Sequence, residues 1–129
     1  MDFDNLVYFV TTNKAFDDAV VSVLKSVEQK GWTIFQVHDL KERLAAKGFI
    51  QKPVKIVEIC SGKYANQFLN KNRFVSLCLP CRISVFEDKG KVVIAGMNPL
   101  VVSDFFAEIG KEEAAAVERE IKEIVDNAR

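Results

Sequence analysis

The segment from Arg82 to Met97 sets the first constraint on the fold. Arg82-Ile83-Ser84-Val85-Phe86 alternates polar and apolar side chains, and Lys91 to Met97 is again rich in apolar and β-branched residues. Between them, Glu87-Asp88-Lys89-Gly90 has the composition of a tight turn. Two such runs around a short turn form an antiparallel hairpin. A hairpin is marginal alone in water, so the rest of the chain must widen it into a sheet and cover one face.

The remaining elements follow from spacing. Leu6 to Thr11, Trp32 to Val37 and Val54 to Ile59 read as strands, and a further strand falls within Phe74 to Phe86. Phe16, Val20, Val23, Leu24 and Val27 recur at helical spacing. Thr12 or Asn13 can cap that helix, Asp17 and Asp18 suit its positive end, and Gly31 stops it. Asp39-Leu40-Lys41-Glu42 has the form of a capping box and opens a short helix ending at Gly48. Ser61 can cap another, from about Lys63 to Asn70. Asn98-Pro99 starts a helix that runs to Gly110, because proline fits a first helical position. A last helix starts near Glu112 and continues almost to Arg129. The order is βαβαβαββαα. It predicts an α+β domain of two layers, with helices on a five-stranded mixed sheet in which the second and third strands run parallel. At 129 residues the whole chain, 1–129, fits one domain. Helices 99–129 form its C-terminal part. The last of them places Ala114, Val117, Ile121, Ile124 and Ala128 at spacings of three and four. Such a stripe packs on the sheet or forms the seam of a homodimer.

Composition removes several function classes. Lys plus Arg and Asp plus Glu both number 18, which argues against a dedicated nucleic-acid binder. No apolar run approaches the ~20 residues of a membrane span. The start, Met1-Asp2-Phe3-Asp4-Asn5, lacks a basic stretch followed by an apolar one, so a cytoplasmic location is expected. The three cysteines are then reduced thiols and not a disulfide framework.

Those thiols carry the candidate chemistry. Cys78-Leu79-Pro80-Cys81 is a CxxC motif, but it leads into a strand. A redox dithiol of the thioredoxin type opens a helix, whose dipole lowers the first thiol's pKa, so that mechanism is missing. Cys60 closes a strand just before the helix capped by Ser61, where unpaired N–H groups would favour a thiolate. With parallel second and third strands, the single His38 and Cys60 share one sheet edge. The hairpin brings Cys78, Cys81 and Met97 there too if the fourth strand is antiparallel to the third. Thiolate, thioether and imidazole are soft ligands that suit Zn, Cu or haem iron. Three Cys and one His meet the formal count for zinc, although not the spacing of a zinc finger. Arg82 alternates away from Cys81 and could bind an anion at the helix starts. The ten phenylalanines suit a bulky core or an apolar pocket.

Several of these runs also carry a resemblance. Lys30-Gly31-Trp32, Val37-His38-Asp39-Leu40, Lys47-Gly48-Phe49 and Val57-Glu58-Ile59-Cys60 followed by Lys63-Tyr64-Ala65 are part of it. The most specific piece is Leu79-Pro80-Cys81-Arg82-Ile83-Ser84-Val85-Phe86-Glu87 with Met97-Asn98-Pro99. Over about residues 14–106 the chain resembles the bacterial and archaeal family called domain of unknown function 302. The resemblance implies a small α+β domain with helices on a mixed sheet, often paired as a dimer. It brings no established reaction. It shares Cys60 and Pro80-Cys81-Arg82-Ile83, whereas Cys78 is an addition to the pattern.

Three functions are compatible with these residues. The first is a thiol protein working by reversible oxidation or sulfur carriage, with Cys60 as thiolate, Cys81 as partner and Cys78 as resolving thiol. Its counterpart would be a small molecule or a protein thiol. The second is a binding module in which Cys60, Cys81, Arg82, Met97 and His38 hold a soft metal, haem or apolar ligand. The third is a dimeric interaction protein with inert buried cysteines.

Overall fold

The hairpin forms where the alternation places it. In the computed structural model, which describes residues 3–129, strands β4 (Cys81–Asp88) and β5 (Lys91–Met97) pair antiparallel. Lys89 and Gly90 both take positive φ, 51° and 77°, as a two-residue turn of the type I′ class requires. Met1 and Asp2, part of the N-terminal reading, lie outside the described residues.

Three strands extend this pair. They are β1 (Val7–Thr12), β2 (Thr33–Asp39) and β3 (Val54–Cys60), and the sheet order is β1-β5-β4-β3-β2. The α+β class and the five strands agree with the sequence. Every ladder is antiparallel, however, including β2 with β3, which corrects the expected parallel pair. The helices are α1 (Phe3–Leu6), α2 (Phe16–Gln29), α3 (Leu40–Ala45), α4 (Gly62–Lys71), α5 (Leu100–Phe105) and α6 (Lys111–Ala128). A 3₁₀ turn, Arg73–Cys78, precedes β4. Among the described residues no helix is long and apolar enough to cross a membrane.

One face of the sheet meets α2 and α6. Val57, Ile59, Ile83, Val85, Val92 and Ile94 project there and are buried against Val23 and Val27 of α2 and Ile121, Ile124 and Val125 of α6. On the other parity, Phe9, Arg82 and Met97 are exposed. α6 sits close because β5 has a glycine beneath it. A Cβ on Gly96 would stand 3.0 Å from Ile121 Cγ2 and 3.2 Å from Ile83 Cδ1. Polar contacts fix the helix position: Ser26 Oγ donates to the Ile124 carbonyl at 2.6 Å, and Trp32 Nε1 donates to Glu120 at 3.0 Å. Tyr64 donates to the other Glu120 oxygen. Burial pushes Glu120 up, but these two hydrogen bonds and nearby lysines outweigh it and hold the carboxyl below its usual range. Ala114, Val117, Ile121, Ile124 and Ala128 are all buried inside the chain. The stripe therefore belongs to the chain's own core, and the reading of it as a dimer seam is corrected.

Candidate functional site

Three strand ends meet at one edge of the sheet. Ile59 pairs with Cys81, which puts the end of β3 beside the start of β4. Ile83 pairs with Gly96, which puts Met97 beside Arg82. Two helices begin just beyond this edge. Ser61 precedes α4, and Asn98 accepts a hydrogen bond from the Leu100 N–H at 3.0 Å to start α5. The 3₁₀ turn and a cis Leu79-Pro80 peptide carry the chain back into β4.

These elements enclose a cavity of about 220 Å³. Trp32, Ile59, Phe68, Val102 and Val117 supply apolar walls. Cys60, Cys78, Cys81, Arg82 and Met97 all line it as well, so five of the six residues singled out from the sequence come together here. His38 does not. Antiparallel pairing sets Thr33 opposite Cys60 and carries His38 to Ile56, away from the edge. There its Nε2 contacts Glu58, whose other oxygen lies 4.0 Å from Arg82. The expectation that His38 joins the cysteines rested on parallel strands and falls with them. The helix start at Asp39 likewise lies at the opposite edge, although Asp39 caps it as expected, accepting from the Glu42 N–H at 3.0 Å.

The electrostatics of the thiols differ from a thiolate site. Cys60, Cys78 and Cys81 are all free. Burial pushes the Cys60 thiol up. Cys81 keeps a little solvent contact, yet it is densely surrounded, and its pKa rises to about 11. Burial is the main cause, the Cys60 sulfur adds to it, and the Arg82 charge offsets part. A helix start stabilises a negative charge by only about 0.3–1 kcal/mol at exposed sites, whereas desolvation can move a pKa by several units. Among the described residues, no three His, Cys, Asp or Glu side chains converge as metal ligands. The three-Cys-plus-His zinc set is not assembled.

A labelling experiment checks this arrangement. With a pKa near 11, Cys81 carries a thiolate fraction at neutral pH roughly a hundredfold below that of a thiol at 9. Its more basic thiolate regains about tenfold in nucleophilicity, leaving roughly a tenfold deficit before access is counted. Iodoacetamide labelling mapped by mass spectrometry should modify exposed Cys78 first and Cys81 last. The Cys81 rate should keep climbing towards pH 11. A Cys81 rate that levels off below pH 8 would contradict the assignment.

The walls of the cavity were less visible in the sequence than its rim. Trp32, Phe68, Val102 and Val117 come from four separate segments and read locally as core. Glu58 carries its own signal in the sequence: a charge inside the apolar run Val54 to Ile59, on the same parity as Cys60.

Comparisons with known proteins agree with the fold. The family model described as domain of unknown function DUF302 matches residues 8–128, a wider span than the sequence resemblance. A crystal structure of an uncharacterized conserved protein DUF302 from Bacillus stearothermophilus superposes with a TM-score of 0.87 at 26% identity, covering 95% of this chain and 98% of that one. No curated protein matches.

Proposed function

The chain belongs to the DUF302 family, and because that family name carries no activity, we propose from the cavity itself that the protein is a binding module for a small apolar molecule. The observation behind this is a single one: a cavity of about 220 Å³ with apolar walls and a rim that carries Cys60 and Cys81, thiols whose pKa burial raises. Neutral thiols beside a thioether behave as polarisable apolar surface. They suit a bound hydrocarbon better than nucleophilic chemistry. The volume exceeds that of an apolar protein cavity known to hold benzene, about 150 Å³. It is below the ~300–1,000 Å³ of drug-sized sites, so a haem is too large to be enclosed.

The test is titration with 1-hexanol followed by protein-observed NMR. The expected result is saturable shifts confined to residues around Trp32, Cys60, Cys81 and Val102. Ala65 and Val101 also line the cavity. Ala65→Phe or Val101→Phe, each checked for a folded spectrum, should weaken binding at least tenfold by filling the space. Shifts scattered over the surface, or unchanged in both folded variants, would overturn the proposal.

A further inference from the structure

Among the described residues one charged side chain lines the cavity, Arg82. From this we infer that the natural ligand is a short-chain carboxylic acid, bound with its hydrocarbon part inside and its carboxylate on Arg82 at the mouth. The inference rests on the binding-module reading and names the ligand class for that same site.

Arg82 is placed for this role by strand parity. Cys81 and Ile83 face the helices, so Arg82 between them turns to the opposite side of the sheet, where its side chain is 56% exposed. There it joins the cavity lining at the strand ends together with Cys60 and Met97, which share that parity. Its guanidinium is weakly engaged. The nearest carboxylate, Glu58, stands at 4.0 Å, which is too long for a hydrogen bond. Glu58 is also occupied by His38 on its other oxygen. A guanidinium has five N–H donors in a fork that matches a carboxylate, so a bound acid could use donors that Glu58 does not reach.

The other lining groups fit the same head group. Among the described residues no Asp, Glu, Lys or His lines the cavity. The carboxylate nearest the head group is Glu58, outside the lining and 4.0 Å from Arg82, and an amine at the rim meets the Arg82 charge instead of a counter-charge. Asn98 uses its amide oxygen to accept from Leu100, which leaves its amide nitrogen as a donor. The Ser61 hydroxyl makes no capping bond to α4 and is free to donate. One cation balances one negative charge, which favours a carboxylate over a phosphate monoester. The volume suits a chain of about six carbons or slightly more.

The probes are hexanoate, 1-hexanol and hexylamine, titrated at neutral pH into the whole protein and into Arg82→Gln. Hexanoate should bind about tenfold tighter than hexanol, as a charge-assisted hydrogen bond at a partly exposed site allows. Hexylamine should be weakest. In Arg82→Gln, whose thermal melt confirms folding, the hexanoate-to-hexanol affinity ratio should fall from about ten to about one. Raised salt should erode the same ratio in the native protein. Equal binding of hexanoate and hexanol, or an unchanged ratio in Arg82→Gln, overturns the carboxylate inference while leaving the apolar cavity standing. Failure of all three probes to bind overturns both.

Discussion

A chain ending at Gly110 is expected to be unfolded. Removing α6 takes away Val117, Ile121, Ile124 and Val125, all buried against the sheet and α2. Each such side chain contributes about 1.5–3 kcal/mol when fully buried, so the four together approach about 6–12 kcal/mol. That matches the whole stability of a typical domain, about 5–15 kcal/mol. The loss extends to the groups left behind. Ser26 would lose the acceptor for its hydroxyl, Trp32 would lose Glu120, and Val23 and Val27 would face water. Far-UV circular dichroism and amide-proton dispersion of residues 1–110 should show no cooperative fold. A fragment that stays folded but changes its oligomeric state would mean that α6 works between copies instead of within one.

Gly96→Val should destabilise the protein by about 1–3 kcal/mol or more, the usual cost of overpacking a close-packed core. The first added carbon already approaches Ile121 Cγ2 at 3.0 Å and Ile83 Cδ1 at 3.2 Å. The two further methyl groups of valine extend into the same contact, where Val125 Cγ2 would also stand 3.8 Å from the first carbon. Gly96→Ala, adding Cβ alone, should lie at the low end of that range. Urea denaturation should show a lower midpoint with an unchanged slope, since the surface exposed on unfolding is nearly the same. The contact can be isolated by pairing Gly96→Val with Ile121→Ala. If the two side chains collide, the double variant should lose less stability than the sum of the singles. Simple additivity would show that Gly96 is not what sets the distance of α6 from the sheet.

How far the sequence foretold this arrangement depends on how local each signal was. The β4–β5 turn was legible because Lys89-Gly90 and the flanking alternation lie within one short segment. α6 was legible as a helix, but its five-residue stripe fits a sheet face and a second copy equally well. Only the packing of Ile121 and Ile124 against the sheet settles that choice. The direction of β2 is ambiguous in the sequence for a related reason. The residues between Asp39 and Val54 are long enough for a crossover or for a simple return. A crossover helix must bury a face on the sheet, and Leu40–Ala45 buries no residue. Lys41-Glu42-Arg43 was the available clue: a short polar helix at the end of a sheet turns the chain back. With that direction reversed, His38 leaves the cysteines, while Cys60, Cys81, Arg82 and Met97 stay together. Their meeting depends on the β4–β5 hairpin, which the sequence pattern gives, and on β4 running antiparallel to β3, which the sequence leaves as a condition and the ladder meets.

The position of β1 has a consequence for how the structure is reached. Strands β2 to β5 form a meander of sequential neighbours, so each pair closes locally, with no more than α4 and the 3₁₀ turn between its members. β1 instead pairs with β5, with Thr12 opposite Val92. Joining positions some eighty residues apart costs about 4 kcal/mol of chain entropy. α6 bears on the same pair, with Tyr8 donating to Asp126 and Arg129 Nε donating to the Thr11 carbonyl at 3.1 Å. The earliest strand and the last helix thus meet on β5. β1 leaves the ribosome well before β5 and has no partner in this sheet until β5 has been made, so these strands are synthesised in one order and assembled in another.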